Sequence, residues 1–303
     1  KGSETNQTKI SWSFDPKEVP IILLDYSSIA HSALHINIKE IENNVDLVRH
    51  TIFNIIRQYN VEFREKYGEM ILCMDHTNNW RRSAFPQYKA NRRKNRKESD
   101  VDWDMVYTEL NKVRDELVES SPYRCVRIEG CEADDVIGAI CEAHNNPSPI
   151  LIISPDKDFV QLQKYPNVKQ YSNLQKKWVE PVVSAEYDLL EKVLKGDTGD
   201  GVPNVLSEDD VLITEGARQT PMSKKKMTAL MEDPEALGTA VARRIMRNRQ
   251  MIDLTRTPDA LKTEILETFS EPAKGNINAM MNVMMKNKMK LLLECLSDFE
   301  VRV

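Results

Sequence analysis

The sequence predicts an α/β protein with a mostly parallel central sheet, helices on both faces, and a smaller helical region towards the C-terminus. Three observations carry this. Apolar runs at 20–25 (PIILLD), 70–75 (MILCMD) and 150–154 (ILIIS) lack polar alternation, as strands buried on both faces do. Stretches of helical periodicity separate them, the order that joins parallel strands through crossovers. Beyond Leu194 the strand signal fades, and Pro203, Pro221, Pro234, Pro258 and Pro272 punctuate a chain that otherwise reads as helical.

Taken in order, the first strand ends in Asp25. A long helix then begins near Asn44, with Val45, Val48, Ile52, Ile55, Ile56, Tyr59 and Phe63 at helical spacing and Gly68 as its stop. The second strand ends in Asp75. An amphipathic helix is expected from Val101 to Glu119, closed by Pro122, and then a short strand from Cys125 to Ile128. Glu132, Asp134 and Asp135 open the next helix, where negative side chains suit the positive end of the dipole. The strand at 150–154 leads into Asp156-Lys157-Asp158, and 168–172 with 177–179 reads as an edge hairpin. The predicted organisation is a core at 1–190 and a helical domain at 191–303. Within the latter, Met280 to Met289 reads as a helix using methionine for adaptable packing.

The bulk numbers exclude several classes. A chain of 303 residues with 41% hydrophobic content builds a sizeable core. Its apolar runs fall far short of the roughly 20 residues a membrane helix needs. Residues 1–10 are polar and lack the apolar stretch of a secretory leader, so a cytoplasmic protein is expected. Five scattered cysteines, Cys73, Cys125, Cys131, Cys141 and Cys295, contain no CxxC pair and suggest neither a disulfide framework nor a zinc site.

Function in open parallel sheets gathers at the carboxyl ends of strands, and three strands here end in Asp25, Asp75 and the Asp156/Asp158 pair. Glu132, Asp134 and Asp135 sit in a helix start that faces the same cleft, and Asp197 and Asp200 occupy a glycine-containing loop, KGDTGDG. Any one aspartate after a strand is commonly only a turn or cap residue. Nine acids aimed at one place are different, because crowded carboxylates repel unless protons or cations intervene. All-oxygen ligation points to hard ions, magnesium with manganese as a substitute, rather than zinc. Two such ions suit phosphodiester hydrolysis.

The net charge of −5 becomes +4 once those nine acids are set aside, so acidity is concentrated where metal would neutralise it. Residues 81–97 hold eight Lys or Arg and no acid, interleaved with Phe85 and Tyr88. Such a segment suits phosphates and exposed bases, although a basic run is by default a solvated loop.

At LLDYSSIA (23–30), ILCMDHT (71–77), WRRSAFPQYKANR (80–92), CEADDVIGAI (131–140), LIISPDKDFVQLQKYPNVKQYS (151–172) and KGDTGDGVPN (195–204), the sequence resembles the flap-endonuclease family of 5′-nucleases. The resemblance implies a PIN-like core in which Asp25, Asp75, Asp134 and Asp156 ligate one metal ion, with Glu132 and Asp135 holding ligands or waters. Asp158, Asp197 and Asp200 would serve a second ion. It also implies that the basic segment, at about 80–98, forms an arch or bridge above the metals, through or under which a 5′ single strand passes. Arg81, Arg82, Tyr88, Lys89, Arg92 and Arg93 would contact nucleic acid there, and Arg82 or Lys89 would stabilise charge on the scissile phosphate.

The family grips duplex with a helical element after the last aspartates, often with a monovalent cation. GVPNVLSEDD departs from that pattern, and Lys224, Lys225, Lys226, Arg243, Arg244 and Arg247 are the replacement candidates. The implied activity is a two-metal 5′-to-3′ exonuclease and flap endonuclease that removes RNA primers during phage replication in the host cytoplasm. Its substrates would be 5′-flap or nicked DNA and RNA–DNA duplex. It would act as a monomer, off the membrane, with a single-stranded-DNA-binding or clamp protein as partner. Two rivals stand beside this reading. Asp156-Lys157-Asp158 also resembles the paired aspartates of haloacid-dehalogenase phosphatases, and a structure-specific DNA-binding protein without catalysis would share the basic segment.

Overall fold

The computed structural model describes residues 19–37, 45–92, 102–144 and 148–301, so Arg93 and the rest of the basic run lie outside the described residues. Six strands form one sheet: β1 (Ile21–Asp25), β2 (Glu69–Cys73), β3 (Arg124–Val126), β4 (Ile150–Ile153), β5 (Val168–Ser172) and β6 (Lys177–Val179). Their order is β3-β2-β1-β4-β5-β6. All neighbours run parallel except β5 and β6, which form the expected edge hairpin. Because β1 pairs with both β2 and β4, the sheet grows one way and then the other from β1. That reversal opens a crevice at the carboxyl ends of β1 and β4.

Alternation along the strands divides the core in two. Ile22, Leu24, Met70, Leu72, Leu151 and Ile153 face one layer, and Ile21, Leu23, Ile71, Cys73, Ile150 and Ile152 face the other. The first layer holds α1 (Tyr26–Asn37), α2 (Val45–Tyr67) and, beyond the short α3 (Trp80–Ala84), α4 (Trp103–Ser120); the second holds α5 (Ala133–Ala143). Helix α2 ends where Gly68 turns at φ +68°, with its missing Cβ only 2.3 Å from the Pro20 carbonyl oxygen, a place no larger residue fits. Strand β3 is shorter than the 125–128 expected, because the last residue of β2, Cys73, already pairs with Val126.

The helical region does not pack as one separate body. Helices α6 (Ala185–Lys195), α7 (Lys224–Glu232) and α8 (Thr239–Ile252) surround a third apolar cluster that includes Phe85 and Tyr88. Helix α9 (Asp259–Ser270) instead joins the α5 layer through Ile265, Leu266 and Phe269. Helix α10 (Ile277–Lys286), α11 (Lys290–Leu293) and a 3₁₀ turn at Leu296–Phe299 return to the α2 layer, where Met280, Met284 and Met289 are buried. The cysteines are free, with Cys73, Cys131 and Cys141 in the core. Among the described residues no helix is long and apolar enough to cross a membrane.

Candidate active site

The crevice predicted by strand order is a cavity of about 750 Å³ lined by Asp25, Asp75, Glu132, Asp134, Asp156 and Asp200, with Lys89 and Arg92 on its wall. Asp25 closes β1, and its carboxylate accepts from the Ser28 backbone N–H at 3.1 Å and from Ser154 Oγ at 2.8 Å. Asp75 stands two residues past β2 and accepts the Ala133 N–H at 2.7 Å, which ties it to the start of α5. Asp156 caps the 3₁₀ helix Lys157–Lys164 by accepting the Asp158 N–H at 2.9 Å. Buried Gln170 on β5 fixes that turn from below, donating to the Ser154 and Asp156 carbonyls at 3.0 and 2.7 Å.

Among the described residues no cation forms an ion pair with Asp25 or Asp75. Burial first, and then the Asp75 charge, push the Asp25 carboxyl up to about 7. Asp134 is driven well above the usual carboxylate range by burial, with Asp156 and Glu132 adding to it. Such a group at neutral pH calls for a proton or a cation, and the carboxylate donors suit a hard divalent ion. Among the described residues no three acids, histidines or cysteines close into a ready cage.

The remaining acids are already partnered. Lys89 Nζ lies 2.5 Å from Glu132 and 3.7 Å from Asp200. Tyr88 Oη stands 2.8 Å from Glu132 and 3.0 Å from Asp200, one hydroxyl proton between two carboxylates. Arg92 reaches Asp200 at 2.6 Å. Burial would raise the Glu132 carboxyl, but the Lys89 ammonium and the Arg81 guanidinium outweigh it and hold it at about 2. Lys89 takes a left-handed backbone, φ +55°, and donates its N–H to the Asp200 carbonyl at 2.7 Å. Gly201 makes this approach possible: a Cβ there would sit 2.7 Å from the Gln87 carbonyl oxygen.

Asp158 and Asp197 face a separate small cleft that also touches Asp134 and Asp200. Lys192 bridges them, hydrogen-bonded to Asp158 and 2.8 Å from Asp197. Nothing in the sequence singled out Lys192, because its partners lie 34 residues before it and in the following loop.

Several expectations need correction. Asp135 is fully buried and accepts four hydrogen bonds, from Trp80 Nε1 (3.1 Å), Thr257 Oγ1 (2.7 Å), Arg81 Nη1 (2.8 Å) and the Glu132 N–H (2.9 Å). Those use the four lone-pair positions of a carboxylate and leave none for an ion. Arg81, expected to contact nucleic acid, is 1% exposed and is Asp135's partner, with its Nε donating to the Met251 carbonyl at 2.9 Å. Tyr88 and Phe85 are buried among Val193, Leu194, Val202 and Val205, so neither offers a ring to a base. Over residues 80–92 the basic segment alternates buried Arg81, Phe85 and Tyr88 with exposed Arg82 and Arg92, and the rest of the expected arch or bridge lies outside the described residues.

Arg82 is exposed and lines a neighbouring cavity of about 260 Å³ with Lys89, Arg92 and Arg114. Lys224, Lys225 and Lys226 are exposed in the first turn of α7 and are not among the residues lining either cavity. Arg243 and Arg247 pair with Asp209 at 3.2 and 2.5 Å, and Arg244 pairs with Glu208. The acids of GVPNVLSEDD thus neutralise arginines that had been candidates for phosphate contact.

Residues 20–192 match the family described as 5′-3′ exonuclease, N-terminal resolvase-like domain, and residues 183–299 match T4 RNase H, C terminal. The chain is 37% identical over 273 residues to ribonuclease H of Enterobacteria phage T4, covering 85% of this chain and 89% of that protein. Among solved structures, the D15 flap endonuclease of bacteriophage T5, a pseudo-enzyme-product complex with DNA and metal ions, superposes with a TM-score of 0.58 at 14% identity, covering 88% of this chain and 99% of that one. The T5 D15 protein co-crystallised with metal ions gives 0.55 at 17% identity, over 83% and 99%. At these identities the structural matches speak for the fold.

Proposed function

Within the 5′-3′ exonuclease family, to which this chain belongs, we propose that it is a divalent-metal-dependent 5′ nuclease hydrolysing phosphodiesters near 5′ ends of DNA and RNA–DNA duplexes, flaps included. The observation that carries this is the cavity at the strand switch point, where Asp25, Asp75, Asp134 and Asp156 converge and Lys89 and Arg92 line the same cavity. Phosphatase chemistry needs one nucleophilic aspartate and its neighbour, and leaves Asp25, Asp75 and Asp134 without a task.

When bound, magnesium ions would activate a water and stabilise the leaving oxygen of the phosphodiester. Asp25, Asp75, Asp134 and Asp156 would hold the first ion, and Asp158, Asp197 and Asp200 the second. Glu132 orients Lys89, whose ammonium stays protonated because Glu132 and Asp200 outweigh its burial. That ammonium and Arg92 are then placed to attract a phosphate and to stabilise its added negative charge. Arg82 and Arg114 extend the positive wall for the strand leading to the 5′ end. Lys224, Lys225 and Lys226 suit the duplex beyond, since three ammonium groups on the positive end of a helix are at odds with its dipole until an anion arrives.

A 5′-labelled flap and a nicked RNA–DNA duplex, incubated with magnesium, should both be shortened from the 5′ side, manganese should substitute, and chelation should abolish cleavage. Asp156→Asn should stop hydrolysis and leave duplex binding measurable. Full activity after exhaustive chelation would overturn the metal mechanism.

A further inference from the structure

Lys192 is the one residue in the carboxylate region whose place nothing so far explains. It projects from the last turns of α6, bonds through its side chain to two acids, and is part-buried between Asp158 and Asp197. Those two acids come from different elements, the start of the 3₁₀ helix after β4 and the loop after α6. One ammonium joins them where a divalent ion would have to sit to use both.

We propose that Lys192 is an internal cation that fills the second-ion position in the ion-free protein and is exchanged for the incoming divalent ion. The proposal rests on the nuclease reading of the same site. Two carboxylates brought together by folding repel, and an ammonium from the adjacent helix removes that cost without any metal. A lysine suits exchange better than an arginine, being a compact charge on a flexible four-carbon stem with no fixed fork of donors. Its side chain keeps 28% of its surface in solvent, a route by which the head group swings out.

Among the described residues Asp25 and Asp75, of the first-ion acids, have no such occupant, although the Lys192 ammonium also acts on Asp156 at longer range. Asp25 bonds only to Ser28 and Ser154, and Asp75 accepts the Ala133 N–H, both uncharged donors. Binding there breaks no ion pair, whereas binding at Asp158 and Asp197 breaks one with each ion that enters. The two positions should therefore differ in affinity, with the Lys192 ion pairs adding to the cost of filling the second. An ion that enters the second position also releases an ammonium beside the site.

Manganese titration of the full-length protein without nucleic acid, followed by the paramagnetic resonance of free ion, tests this directly. Wild type should show a tighter and a weaker class. Lys192→Met should tighten the weaker class by about tenfold, the scale set by one part-buried ion pair no longer opposing it, and change the tighter class less, through its longer-range action on Asp156. Lys192→Arg, which keeps the charge, should stay near wild type, and Asp158→Asn should lose the weaker class. The ion-free Lys192→Met protein should melt lower than wild type and recover on adding manganese, which separates charge exchange from a folding defect. An unchanged or weakened second class in Lys192→Met would overturn the proposal alone. No bound manganese in wild type would overturn the nuclease reading and the proposal with it.

Discussion

Asp25 and Glu132 line the same cavity, yet their carboxyl groups lie at opposite ends of the scale, at about 7 and about 2. Burial penalises both. Asp25 has only neutral donors and further acids around it, while Glu132 has Lys89 at 2.5 Å and Arg81 at 3.6 Å. Asp25, Asp75, Asp134 and Asp156 therefore wait for an external cation, whereas Glu132, Asp135 and Asp200 have their cations built in. A site divided this way holds its shape without metal, because the partnered half is already a folded ion-pair network.

The largest effect should come from breaking the built-in half at its buried centre. Arg81 and Asp135 are both almost wholly buried, 2.8 Å apart, so Arg81→Met leaves a carboxylate with its charge uncompensated. A loss of about 3–5 kcal/mol in unfolding free energy is expected, read by urea denaturation. Arg82→Met, one residue along but exposed, should change stability by less than about 0.5 kcal/mol. Equal losses from the two would show that the wall is held by something other than the Arg81–Asp135 pair.

The next test sharpens the comparison by pH. Asp25 has a folded value of about 7 against an ordinary 3.8, so its folded form keeps a proton that the unfolded chain gives up. Its contribution to stability is full below about pH 4 and is lost as pH rises through 7. Glu132 has the opposite sign: its folded value of about 2 lies below the ordinary 4.5, so its contribution is present above pH 4.5 and lost as pH falls towards 2. Melting temperature of the ion-free protein, compared with Asp25→Asn and Glu132→Gln, should show the two windows separately. Saturating magnesium should remove the decline towards pH 7, because the ion replaces the proton on Asp25. Below pH 7 the ion concentration for half-saturation should rise by about tenfold per pH unit for each proton displaced. A decline that persists in Asp25→Asn would assign the proton to another acid.

Those two halves were not equally legible in the sequence. Asp25, Asp75 and Asp156 were readable because a buried strand announces itself locally, and parallel order puts every strand's carboxyl end at one edge. Asp135 sits one residue from Asp134 and looks the same on paper. Its role is decided by Arg81, 54 residues earlier, and Thr257, 122 residues later. The basic run read as exposed because it contains no acids, but its acids are simply elsewhere in the chain: Glu132 and Asp200 for Lys89, Asp135 for Arg81. Phe85 and Tyr88 looked like stacking groups for the same reason, since the cluster that buries them is made by Val193, Leu194, Val202 and Val205. Local pattern finds groups that act where the backbone puts them. Pairings across the chain need the fold.

The smallest expected effect isolates what remains of the basic segment's role once its buried members are set aside. Arg82 is the exposed cation of the described wall that no acid in the structure engages through a described ion pair, and it shares its cavity with Lys89, Arg92 and Arg114. Removing it should leave the fold and the carboxylate site intact. Arg82→Ala should therefore weaken binding of a 5′ flap by roughly five- to tenfold, the scale of one charge-assisted contact partly screened by salt. The slope of log affinity against log salt should fall by about one for the one phosphate contact removed, while binding of a blunt duplex stays near wild type. Lys89→Ala behaves differently because Lys89 also neutralises Glu132: it should shift ion binding as well as flap affinity. If Arg82→Ala lowered flap and blunt-duplex affinity alike, Arg82 would be a contact to the duplex backbone, and the path of the 5′ strand would have to run along another wall of the cavity.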